Sequence, residues 1–415
     1  MSRRFLDLIH LSEAVDLLLA GLPPGPRATE TVALGEVAGR VLASDVVAPR
    51  DLPGFDRSTM DGYAVRAADT FGAGESLPAY MPVTGEVPMG SAPGVSVGPG
   101  AAARISTGGF MPDGADAVVM VENTQAVGDT IEVLRAVAPG ENVLRRDEDV
   151  AAGSVLLRRG STLGPAQLGV CAGLGMGRIE VYPVPVVGVI STGDEVVDWR
   201  SEPGPGQVRD VNSPALAAAV ERAGCTAKEY GIVADEKGKL LEASRRALRE
   251  CDALLVSGGS SAGVRDLTVE VLGELGRPGV LAHGIYLKPG KPTLVAICDG
   301  KPVLGLPGNP ASALAVFREI GLPLLRRLRG EEPGPGVNPY RRVRAAMGRP
   351  VSSETGRTEL VPVDLEEGEE GLIAVPIMGR SSLIGTLARA RGQVRIPEGS
   401  EGLERGEEVT VELLD

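Results

Sequence analysis

From Pro183 to about Gly330 this chain repeats one rhythm, an apolar run, a glycine turn and then a helix, and nothing constrains its fold more. Residues 186–190, 253–256 and 303–306 are continuous apolar runs of buried-strand type, and Ile232-Val233 ends a fourth. Ser213-Pro214 starts a helix, as N-cap and first helical residue, that stops at Gly224. Another spans 236–250, and Asn309-Pro310 opens a last one through Leu328. Strands alternating with helices of this length predict a parallel α/β sheet. Such sheets bind ligands outside the C-terminal ends of their strands. Ser191-Thr192-Gly193-Asp194-Glu195 and the runs 257–263 and 307–312 all fall there.

These loops carry the chemistry. Residues 257–263 read Ser-Gly-Gly-Ser-Ser-Ala-Gly, 288–292 read Lys-Pro-Gly-Lys-Pro, and 305–312 read Gly-Leu-Pro-Gly-Asn-Pro-Ala-Ser. Glycine lets the backbone approach an anion closely. Helix N-termini behind such turns present free N–H groups and a positive dipole end. Ser257, Gly258, Gly259, Gly308 and Asn309 are therefore candidate substrate-binding residues. Two of the chain's six lysines, Lys288 and Lys291, stand between prolines in one glycine loop and add mobile positive charge. Carboxylates crowd neighbouring loops as Asp194, Glu195, Asp235 and Asp266. A Mg²⁺ carried by a phosphate ligand needs one or two such oxygens, although Asp235 and Asp266 could equally cap the helices that follow them. Together these features predict a pocket for a phosphorylated small molecule.

The remaining sequence is arranged around this domain. Residues 1–50 and 140–182 read as a mixed N-terminal domain, 51–139 as an inserted β domain, 183–330 as the α/β domain and 331–415 as a small β domain. Ser12 reads as the N-cap of an amphipathic helix bearing Leu11, Val15, Leu18 and Leu19 on one face, with Gly21 as its stop. A second helix is expected over 29–42. Short apolar runs at 80–87, 117–122 and 130–137 predict strands, and Asp61-Gly62 is a hairpin-turn signal. Residues 331–336 read as a linker, and 341–346, 358–363, 372–377 and 409–413 as strands.

Composition narrows the function. A net charge of −13 argues against nucleic acid or anionic membranes as general partners, because both demand a basic surface. Four widely spaced cysteines lack metal-ligand spacing and read as reduced thiols. With only His10 and His283, neither a Ser/His/Asp relay nor a histidine-rich zinc site is expected. No stretch approaches the ~20 apolar residues of a membrane span. Asp7, His10, Glu13 and Asp16 interrupt any signal-peptide core, so a cytoplasmic protein is expected.

Further motifs extend the pattern: Pro-Gly-Phe-Asp-Arg-Ser-Thr-Met-Asp-Gly-Tyr-Ala-Val at 53–65 and Arg-Ile-Ser-Thr-Gly at 104–108, with Ser-Thr-Gly-Asp-Glu and the three glycine motifs above. In this combination and order, over nearly the whole chain, the sequence resembles the molybdopterin molybdenumtransferases, the MoeA proteins related to the E domain of gephyrin. The resemblance implies a multidomain α/β plus β architecture: a central molybdopterin-binding-like domain, an inserted β domain, a mixed N-terminal domain and a C-terminal barrel-like domain. It implies Mg²⁺-dependent insertion of molybdate into adenylylated molybdopterin with release of AMP. It further implies a homodimer whose active sites are shared between subunits, and contact with the adenylyltransferase that supplies the substrate. Carried over by motif, Lys288, Lys291, Ser312, Arg357 and Ser382 would hold the oxyanion or the pterin phosphate. Asp266 and Glu195 would serve Mg²⁺ or cleavage of the pyrophosphate bond, together with Asp235, while Asp61 and Thr107 would contribute from the β segment. Relatives usually carry arginine where this chain has Leu144 and glycine where it has Asp147, and some carry lysine at Gly284. These losses leave tungstate open beside molybdate. Adenylyl transfer to molybdopterin and a gephyrin-like scaffold with a vestigial pocket are the competing readings.

Overall fold

The computed structural model describes residues 8–26, 28–258, 262–332 and 340–414, with the backbone alone at 262–266. The α/β domain is a six-stranded sheet ordered Thr226–Val233, Val186–Thr192, Ala253–Gly258, Lys301–Pro307, Leu294–Cys298, Pro278–His283. The first four are parallel, as the rhythm predicts, while Leu294–Cys298 runs antiparallel to both its neighbours. A two-residue turn at Asp299-Gly300 joins it to the next strand, with positive φ at both positions (51° and 82°). That turn makes a hairpin and not a crossover, and so reverses the direction.

Helices cover both faces, so the inner strands are apolar over most of their length, while the edge strand Thr226–Val233 exposes Lys228 and Glu229. Along Ala253–Gly258, Ala253 and Leu255 enter one core with Leu216, Phe317 and Ile320, while Leu254 and Val256 enter the other with Leu240 and Val271. The N-terminal helix, Leu11–Ala20, joins the first core through Ala14 and Leu18, both fully buried. Burying Leu18 contributes roughly 1.5–3 kcal/mol. This helix starts two residues earlier than Ser12 as a cap predicts: His10 occupies the N-cap position and Ser12 lies exposed in the first turn. Gly21 ends it without a left-handed turn (φ −80°), and a Cβ there would lie 2.2 Å from Ile297 Cδ1. Close packing against Ile297, not chirality, favours glycine there.

The helix expected over 29–42 is absent. Glu30–Ala33 is a strand paired with Arg178–Val181, and only Leu34–Glu36 forms a short 3₁₀ turn. Thr31 and Val32 favour the pleated surface, and Gly39, at φ 76°, breaks any helix beyond. Val46–Val47 pairs with Val155–Leu157 in the same region.

The β domain is a second six-stranded sheet, ordered Ala117–Met120, Gly62–Val65, Ala102–Ile105, Ala79–Glu86, Thr130–Val133, Thr124–Val127. Gly62 is not a hairpin turn residue here but the first residue of a central strand. A Cβ on it would sit 2.0 Å from Val119 O, so the two strands meet only over a glycine. The C-terminal domain closes five strands into a barrel, Thr358–Gly368, Gly371–Pro376, Arg342–Met347, Glu408–Leu413 and Gly392–Ile396, the last returning to the first. Closure removes the unpaired edges of a small sheet.

Candidate active site

In the α/β sheet the chain moves outward from Val186–Thr192 to Thr226–Val233 and then crosses back to Ala253–Gly258, which makes a topological switch point beside Thr192 and Gly258. A cavity of about 480 Å³ opens there. It brings together Glu195, Ser257, Gly258, Gly308, Asn309 and Ser382 of the residues expected from sequence. Gly258 (φ 154°) lets the strand ends close up, because a Cβ on it would lie 2.3 Å from Thr192 O.

Two residues that sequence reasoning missed organise this cavity. Asn212 Nδ2 donates to Ser257 Oγ at 2.7 Å and to the Gly308 carbonyl at 2.9 Å, tying the two glycine turns together. Asp210, 5% exposed, accepts from the Asn212 and Ser213 amides at 3.0 Å each, from Ser191 Oγ at 3.0 Å and from Ser213 Oγ at 2.6 Å. The Asn212–Arg222 helix therefore starts before Ser213, and its cap is a carboxylate two residues upstream of its first residue. An Asp-x-Asn-Ser run ahead of an apolar helix was the available signal.

Glu195 follows the first strand, and among the described residues no hydrogen bond or ion pair engages its carboxylate. Asp235 does not line the cavity, but it accepts the hydroxyl proton of Thr192, which does, and its amide donates to Asp194 Oδ1 at 3.2 Å. Gly259 lies outside the described residues, as does the side chain of Asp266, whose backbone is in the Ala262–Glu274 helix. From the C-terminal domain, Ser381 Oγ accepts from Asn309 Nδ2 at 3.1 Å and its carbonyl accepts from Ala311 N at 3.2 Å. That loop carries Ser382 and Ile384 to the cavity wall.

The lysine loop stands apart from this wall. Lys288, half exposed, pairs with Glu359 Oε1 at 2.7 Å, and Lys291 is exposed. A Cβ on Gly290 would lie 2.7 Å from Val316 Cγ2, so the loop packs on the Pro310–Val316 helix one turn beyond the buried Ser312. Arg357 precedes Thr358, which pairs with Leu287 of the same loop. Its guanidinium meets Glu354 at 3.0 Å, yet its Nε is buried with no partner among the described residues. Lys288, Lys291 and Arg357 thus form a cationic edge at the junction of the α/β and C-terminal domains.

Asp61 and Thr107 come together in the β domain. The Thr107 amide donates to Asp61 Oδ1 at 2.7 Å and its hydroxyl at 3.0 Å, holding the Asp61 carboxyl below its ordinary range. Neither residue is among those that line the cavity of the same chain. Asp147 keeps the left-handed backbone (φ 64°) that glycine adopts easily, and Gly284 sits at φ 103°, where a lysine would be strained. All four cysteines are buried, and burial pushes their thiols up, Cys298 to about 11 and Cys225 to about 12, so none supplies a thiolate nucleophile. Among the described residues no helix is long and apolar enough to cross a membrane.

Comparison with known proteins follows this geometry domain by domain. The family model for the MoeA N-terminal region (domain I and II) matches residues 9–175, that for a probable molybdopterin binding domain matches 188–327, and that for the MoeA C-terminal region (domain IV) matches 344–414. Molybdopterin molybdenumtransferase 2 of Mycobacterium tuberculosis is 37% identical over 89% of this chain and 91% of its own. The molybdopterin molybdenumtransferase of Bacillus subtilis is 32% identical over 93% of this chain and 90% of its own. The crystal structure of a molybdopterin biosynthesis MoeA protein from Pyrococcus horikoshii OT3 superimposes with a TM-score of 0.84 at 35% identity, over 98% of this chain and 100% of that one. The chain belongs to the MoeA family of molybdopterin molybdenumtransferases, enzymes of molybdenum cofactor biosynthesis.

Proposed function

We propose that this chain inserts molybdate into adenylylated molybdopterin, releasing AMP, in a Mg²⁺-dependent reaction. The observation that carries this reading is the cavity at the switch point, where Asn212 ties the Ser257 and Gly308 turns beside the Glu195 carboxylate, which has no partner among the described residues. Backbone amides at such turns receive phosphate oxygens. The lining residues offer oxygen donors and neither imidazole nor thiolate, which suits a hard cation. Among the described residues no group of three or more His, Cys, Asp or Glu side chains could hold a metal alone. Glu195, with Asp266 from the Ala262–Glu274 helix, would hold Mg²⁺ by one or two carboxylates, the substrate phosphates completing its shell. Bound there, Mg²⁺ supplies charge neutralisation of the pyrophosphate.

The protein's own residues position the reactants. Gly258 and Gly308 admit the phosphates, and Ser382 closes the cavity from the C-terminal domain. Lys288, Lys291 and Arg357 recruit the oxyanion at the domain junction, where the buried Arg357 Nε awaits an acceptor. Water attacks the adenylate phosphorus and the bond to the pterin phosphate breaks, giving AMP and the pterin monophosphate; where a molybdate oxygen attacks instead, water hydrolyses the resulting adenylyl–molybdate anhydride to AMP and molybdate, and neither route needs a covalent protein intermediate. In a homodimer the Asp61–Thr107 pair of the β domain would complete the cavity of the partner subunit. The enzyme would act in the cytoplasm and receive its substrate from the adenylyltransferase.

The assay is AMP release from adenylylated molybdopterin with Mg²⁺ and molybdate. Asp266→Asn should bind the pterin yet release little AMP, and near-normal turnover would refute its role. Competition between molybdate and tungstate in the same assay decides the preferred oxyanion. Mixing Asp61→Ala with Asp266→Asn protein should restore part of the activity if sites are shared, and none if each chain works alone.

A further inference from the structure

A second cavity, of about 760 Å³, lies between the Asn212–Arg222 helix, the Leu322–Arg329 helix and the C-terminal domain. No motif read from the sequence touches it. Five arginines line it, Arg222, Arg318, Arg326, Arg329 and Arg341, against the single carboxylate of Glu331. Glu331 is already engaged, bonded to Arg329 and 3.6 Å from Arg326. Arg329 also donates to the Ala223 and Gly39 carbonyls at 3.1 and 2.6 Å, which makes it a structural clamp.

The other three guanidinium groups are differently placed. The side chains of Arg222 and Arg341 are exposed and have no hydrogen-bond or ion-pair partner among the described residues. Arg318 lies 4.1 Å over the Tyr340 ring and donates at 2.9 Å to the Leu413 carbonyl, but its Nε is buried and unpartnered. A buried donor without an acceptor is costly unless a ligand supplies one. Much of the remaining lining is apolar, including Ala215, Ala219, Leu314 and Leu387. Ile384 lines both cavities, so the short Ile384–Arg389 helix stands between them.

We propose that this cavity binds an organic phosphate, its phosphate held by Arg222, Arg318 and Arg341 and its apolar body laid on Ala219, Leu314 and Leu387. A phosphate monoester carries about −1.5 to −2 charges at neutral pH and three acceptor oxygens, which suits two partnerless guanidinium groups and the open Nε of a third better than a singly charged carboxylate does. The site is separate from the reaction cavity, and its existence does not rest on the proposed reaction.

The test is calorimetric titration of the full-length protein with octyl phosphate, octanoate and inorganic phosphate at constant ionic strength. Octyl phosphate should bind once per chain, at least tenfold more tightly than either of the others. Arg222→Ala combined with Arg341→Ala, both at exposed positions, should weaken it at least tenfold, while Asn309→Ala, in the reaction cavity, should leave it unchanged. The proposal is overturned if octyl phosphate gives no binding at millimolar concentration, if octanoate binds as tightly, if the double variant binds like the parent, or if Asn309→Ala alone abolishes binding.

Discussion

Replacing Asp210 by alanine should loosen the start of the Asn212–Arg222 helix and, through Asn212, the reaction cavity. The carboxylate accepts four hydrogen bonds, from two backbone amides and two hydroxyls, in a site only 5% exposed. Loss of a helix N-cap costs about 0.5–2 kcal/mol, and each buried polar group left unpaired about 1–3 kcal/mol. Ser191 and Ser213, whose hydroxyl oxygens lie 2.8 Å apart, can still bond each other, so one hydroxyl proton is orphaned and not two. The cap and that one proton together come to about 3 kcal/mol. The protein has several domains, so a single unfolding free energy is not the right readout. Amide hydrogen exchange of the helix reports the local opening instead, and about 3 kcal/mol corresponds to roughly 150-fold faster exchange. Asp210→Asn keeps one acceptor oxygen and should cost only about 1 kcal/mol, roughly fivefold. Exchange in the alanine variant within about threefold of the parent would show that this network does not hold the helix start, and the reasoning would fail.

Three other outcomes follow from the geometry. Gly258→Ala forces a Cβ to 2.3 Å from Thr192 O at φ 154°, and should destabilise the α/β domain by about 2–3 kcal/mol, a cost that an unchanged thermal transition would disprove. Lys288→Ala removes the half-exposed partner of the buried Glu359, whose carboxylate keeps its bond from Ser353, and should cost about 1–3 kcal/mol, yet raise the KM for molybdate at least about tenfold; an unchanged KM would remove Lys288 from anion binding. The Asp61 carboxyl is held below its ordinary value of 3.8 by the Thr107 amide first and the Thr107 hydroxyl second. Because the folded value is the lower one, the link's contribution is present above pH 3.8 and is lost as pH falls through the folded value. An NMR titration of the Thr107 amide should therefore show its midpoint below 3.8, and a midpoint at or above it contradicts the hydrogen-bond account.

Much of the candidate site was legible because its signals are local. Glycine runs after apolar strands placed Ser257, Gly258, Gly308 and Asn309, and all four line one cavity. Glu195 and Ser382, the first from a loop beside a strand and the second from the family motif, line it too. The lysine loop was recognised as cationic, but its packing on Val316 and its pairing with Glu359 depend on contacts with distant segments. The misread stretch at 29–42 shows the same limit, since its strand exists only by pairing with Arg178–Val181.

The order of residues alone determined the alternation of strands and helices, the glycine positions where chain reversal occurs, and the family to which the chain belongs. These rest on periodicity and on backbone preferences within a few residues. Tertiary structure alone decided that one strand of the central sheet runs antiparallel, that Gly62 serves a close strand approach, and that Asn212 ties together turns 45 and 96 residues away. It also placed around one cavity Arg222 and Arg341, which have no partner among the described residues, and Arg318 with its buried, open Nε. Spacing along a chain carries no record of a hydrogen bond whose partner is brought up by sheet register and domain packing. Only the folded molecule selects those partners.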